Sequence, residues 1–125
     1  MVSRDYEVSY LRVGVSDLDT AQQFYEGILG MQMVVARDED GYLLFGLGCT
    51  TLIVETATAI EGEKQPKLSI GRYLGISLKI RNIHQFYETA QNQGAKFTHP
   101  PEKQFWGGYL AEIADPDGNI WTLVE

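Results

Sequence analysis

The 125-residue sequence holds one cysteine, two histidines and four prolines, and no stretch approaches the ~18 consecutive apolar residues of a membrane span. Each scarcity excludes something. Cys49 alone cannot form an internal disulfide, so no oxidising compartment is implied. With Arg4, Asp5 and Glu7 near the start and no apolar run behind them, the N-terminus reads as neither signal peptide nor anchor. The chain is expected to be cytoplasmic, with no membrane partner. Basic residues are few as well: 10 Lys and Arg against 17 Asp and Glu give a net charge of -7. Neutralising phosphates needs clustered cations, so a nucleic-acid partner is disfavoured.

What is present suits an ordinary globular domain, 44% hydrophobic and 22% charged, long enough to bury a core without staples. From Glu7 to Val15 the pattern alternates, with Leu11, Val13 and Val15 on one side and Tyr10, Arg12 and Gly14 on the other. Asp17 or Asp19 can cap a helix carrying Leu18, Ala21, Phe24, Tyr25 and Ile28, with Gly30 as its stop. Strands are then expected at 31–36, 42–47 and 50–56, giving the order βαβββ.

After a mixed-charge stretch read as a linker, the pattern begins again. A strand at 75–80 alternates, Asn82 caps a helix with Ile83, Phe86, Tyr87 and Ala90 on one face, and Gly94 ends it. Strands follow at 95–98, 109–114 and 120–124, with a long loop through Pro100, Pro101, Trp106, Gly107 and Gly108 between the first two. VGVSDL at 13–18 lies over LKIRNI at 78–83, so the second half repeats the first. The expected organisation is a first βαβββ module at 1–56, a linker at 57–72 and a second module at 73–125. The fold class is α+β, a curved mixed sheet or half-barrel with helices outside.

The paired units, the stretch SDLDTAQQFYEGILGM and the terminal ADPDGNIWTLVE resemble the glyoxalase, bleomycin-resistance and extradiol-dioxygenase superfamily over nearly the whole chain. The resemblance implies the fold more strongly than any one activity. Metal-dependent members of that superfamily draw two histidines and two carboxylates, or close variants, from the concave sheet face. Carried onto this chain, those positions fall on Tyr10, Gly75, Glu55 and Thr122. One charged ligand of four remains, a poor transition-metal site. His84 and His99 read as solvated histidines rather than replacements.

The expected cofactor content is therefore none, and the expected partner is a small molecule held in the hollow. Strand parity lines that hollow with Tyr10, Arg12, Ile53, Glu55, Ser77, Lys79 and Thr122. Arg12, Lys79 and Glu55 can serve a ligand, or pair internally and reach the rim. Trp106, beside two glycines, can close over a planar ligand, plug the pocket mouth or meet a second subunit. Trp121 reads as core. The favoured function is metal-free binding of a small planar or cationic antibiotic or metabolite. A divalent-metal lyase, isomerase or dioxygenase using Glu55 is the alternative. The resemblance also implies a homodimer, whose modules the linker is long enough to exchange.

Overall fold

A computed structural model of the chain describes residues 4–56 and 68–125; most of the expected linker, 57–67, lies outside them. Both modules form as expected. The first contains β1 (Tyr10–Val15), a helix α1 (Leu18–Gln22, continuing as a wider π-helical turn over Gln23–Ile28), β2 (Gln32–Arg37), β3 (Tyr42–Leu47) and β4 (Thr50–Thr56). The second contains β5 (Tyr73–Lys79), α2 (Ile83–Asn92), β6 (Lys96–Lys103), β7 (Tyr109–Ala114) and β8 (Ile120–Val124). Each makes an open four-stranded mixed sheet, in the orders β1-β4-β3-β2 and β5-β8-β7-β6.

Local chemistry fixes the helix ends. Asp17 adopts extended geometry and its carboxylate accepts from the Thr20 N–H at 2.9 Å, so the first helix starts there. At its far end the Leu29 N–H reaches the Phe24 carbonyl five residues back, and Gly30 stops the helix at φ +69. The wider turn buries both Phe24 and Tyr25, adjacent residues that one stripe of a regular α-helix would separate. Asn82 holds the N-cap position of α2 but does not cap it: it sits in the left-handed region at φ 54 and makes no cap bond through its side chain. The Glu125 carboxylate does that work, accepting from Asn82 N at 2.7 Å and Ile83 N at 3.0 Å.

β6 extends further than its sequence suggests, running through Pro100 and Pro101 where a loop is expected. Its pairing with β7 shifts register twice across that segment. As the outer strand of its sheet, β6 tolerates prolines that cannot donate to a ladder.

One core spans both modules. Val13, Val15, Leu43, Phe45, Leu52 and Val54 from the first sheet join Ala111, Ile113, Trp121 and Leu123 from the second, with Phe24, Tyr25 and Ile83 of the helices. The DPDGN turn fastens the halves. Asn119, fully buried, accepts from Gly71 N and Arg72 N through Oδ1 and donates through Nδ2 to the Gly14 carbonyl and to Asp115 Oδ2. Asp117 accepts from the Ser16 N–H at 2.9 Å and the Ser16 hydroxyl at 2.5 Å. The approach is close enough that a Cβ on Gly71 would lie 2.8 Å from the Asp117 carbonyl oxygen, and φ +78 there also demands glycine.

Candidate functional site

The side chains alternating away from this core line the other face of each sheet. Register sets Arg12 beside Ile53 in the β1–β4 ladder and Ser77 beside Thr122 in the β5–β8 ladder. The two faces meet where the modules do, at the bridge between Gly14 and Ile70 and the bond from Arg72 Nη2 to the Arg12 carbonyl.

On the first sheet, Arg12 and Glu55 are joined. Nε donates to Glu55 Oε1 at 3.0 Å and Nη2 to the same oxygen at 2.5 Å, with the side chains 16% and 11% exposed. Such a pair is held by charge-assisted bonds in a partly desolvated setting. Tyr10, at the start of β1, is 43% exposed. On the second sheet Thr122 is buried, at 4% exposure, and its hydroxyl lies 3.2 Å from the Tyr73 hydroxyl. Tyr73 is 60% exposed and escapes the sequence reading, which starts the strand two residues later. Parity extended upstream from Ser77 through Gly75 would have placed it on the same face.

Three other expected residues are exposed. Ser77 and Lys79, both exposed, border a cleft along the end of β5 together with helix-side residues such as Leu78 and Leu123. Trp106 is half exposed in the β6–β7 hairpin, with its ring folded back on its own loop: a Cβ on Gly108 would collide with it. Of the sequence-noted histidines, His84 is exposed and makes an edge-on ring contact with Tyr109 at 4.6 Å, and His99 lies exposed in β6.

Behind the face, Tyr25 donates to Asp115 Oδ2 at 2.6 Å and accepts from Trp121 Nε1 at 3.0 Å. Burial, and then the neighbouring Asp115 charge, pushes its phenol far above the ordinary tyrosine range, so it stays protonated and serves structure. Trp121 is core, as its position in the strand implies.

The donor set can be tested against a divalent metal. Gly75, at φ +71, supplies no side chain; Thr122 is engaged by Tyr73; Tyr10 is a phenol; and Glu55 directs an oxygen at a guanidinium. Among the described residues no three or more His, Cys, Asp or Glu side chains converge. These residues do not fit the two-histidine, two-carboxylate arrangement.

Comparison with known proteins agrees with the architecture. Residues 7–123 match the family model described as Glyoxalase/Bleomycin resistance protein/Dioxygenase superfamily. A crystal structure of a member of that superfamily from Sphaerobacter thermophilus is 32% identical, covering 97% of this chain and 98% of that one with a TM-score of 0.77. The bleomycin resistance protein of Klebsiella pneumoniae is 29% identical over 87% of this chain and 84% of its own length. A lactoylglutathione lyase of Arabidopsis thaliana is 25% identical over 89% of this chain but only 41% of its own length. The chain belongs to the glyoxalase/bleomycin resistance protein/dioxygenase superfamily.

Proposed function

We propose that this chain is a binding protein that holds a small, planar or cationic organic molecule on the cupped sheet face without a metal, sequestering it rather than converting it. The observation that carries the reading is the Arg12–Glu55 pair: the one carboxylate at a metal-ligand position already neutralises an internal cation. The exposed Tyr73 supplies stacking surface, worth on the order of 1 kcal/mol per ring pair beyond burial. Thr122 and Tyr73 supply oriented hydroxyls, with Ile53 as apolar floor. The net charge of -7 favours approach of a cation. The Klebsiella relative, named for bleomycin resistance, makes bleomycin the first ligand to try. The intact chain would act as a cytoplasmic homodimer.

Titrating bleomycin into chelator-treated protein, read by tryptophan fluorescence and thermal shift, tests this. Saturable binding with an upward shift supports it. The retained Glu55, together with the lyase relative, keeps one rival reading, a divalent-metal lyase. Lactoylglutathione lyase turnover on addition of Zn or Ni would favour that rival and sink sequestration.

A further inference from the structure

The modules meet through the bridge between Gly14 and Ile70, just ahead of β5, the outer strand of its sheet. Along the last residues of β5 lies a cleft of about 500 Å³. Its walls are Leu29 from the end of the first helix, Leu47 from β3, and Phe86 and Leu123 from the second module. Leu29, Leu47 and Phe86 pack on the core with one side and remain partly open on the other. A volume of this size is that of a small-molecule site.

Two cations border it. Lys79 and Arg81 are exposed, both line the cleft, and the side chain of neither has a hydrogen-bond or ion-pair partner among the described residues. The chain carries 17 acidic residues against 10 basic ones, and two of those ten border this one apolar cleft. Long basic side chains can lie along the apolar wall and bring their heads to one anionic group at the mouth.

We propose that this cleft binds an amphipathic organic anion, its apolar tail against Leu29, Leu47 and Phe86 and its single carboxylate or sulfonate head at Lys79 and Arg81. The proposal goes beyond the cupped-face reading and does not depend on it, because the walls are helix-side residues and the ligand has the opposite charge preference.

Decanoate and the uncharged 1-decanol, titrated calorimetrically into the intact chain, test it. Decanoate should bind roughly tenfold more tightly than decanol, and salt should weaken only decanoate. K79Q/R81Q alters two exposed side chains, so the fold should survive, and decanoate affinity should drop to that of decanol. Leu29→Trp should fill the cleft and abolish both. Absence of decanoate binding, or binding indifferent to K79Q/R81Q, overturns the proposal. So does binding that appears only when dilution lowers the molecular mass, which would make a second copy the occupant. Loss of bleomycin binding with decanoate binding retained would sink the cupped-face reading alone.

Discussion

Arg12 places two nitrogens on a single oxygen of Glu55, at 3.0 and 2.5 Å, with both side chains mostly withdrawn from water. Removing one partner strands the other charge, whereas removing both need not. Arg12→Met should cost roughly 2–4 kcal/mol, and the double change R12M/E55L should recover most of that loss. Urea unfolding of Arg12→Met, Glu55→Leu and the double variant measures it. A single variant as stable as the parent would show that the pair is solvated and slack.

Three of the four side-chain bonds of Asn119 go to groups far off in sequence, so Asn119→Ala would leave Gly71 N, Arg72 N and the Gly14 carbonyl without that partner. A loss of about 2–4 kcal/mol is expected, read as a lower denaturant midpoint. Hydrogen exchange should quicken first where β1 meets the segment before β5.

Tyr25→Phe deletes the hydroxyl between Asp115 and Trp121 while keeping the ring. The cost should be about 1–3 kcal/mol, because Trp121 Nε1 loses its acceptor inside the core. Near-ultraviolet circular dichroism of Trp121 should change even if the fold persists.

Glu125 carries a pH dependence. Its carboxylate accepts from the Ile83 and Asn82 amides, which hold its pKa below the ordinary 4.5. A depressed carboxyl stabilises the fold above its unfolded value and loses that contribution as pH falls through the folded one. Glu125→Gln should therefore differ most from the parent near neutrality and converge with it below about pH 4. Melting temperatures across pH 3–7 check the convergence; a constant gap would point to packing instead of charge.

Strand and helix positions were legible because alternation and caps are local. The strands at 42–47, 50–56, 109–114 and 120–124 form at those boundaries, and Asp17 and Gly30 bound the first helix as read. The failures share a cause. Asn82 looks like a cap, yet the acceptor comes from Glu125, 43 residues away. DPDGN reads as a turn, but its Asp117 and Asn119 reach partners up to 105 residues distant, which no spacing reveals. On the cupped face, parity named Arg12, Glu55 and Thr122, while their engagement with one another or with Tyr73 depends on register between strands. The cleft at the end of β5 was not legible at all, because its lining joins Lys79 to Leu29, Leu47 and Phe86, residues that only the packing of the two modules brings together.

The most direct test of metal-free binding is elemental analysis of the purified chain after dialysis against Zn, Ni, Mn and Fe(II), with a bleomycin titration on the same sample. Metal well below one equivalent per chain, with unchanged saturable ligand binding, is the expected result. About one equivalent of a divalent ion, lost on Glu55→Gln and required for the ligand to bind, would contradict it.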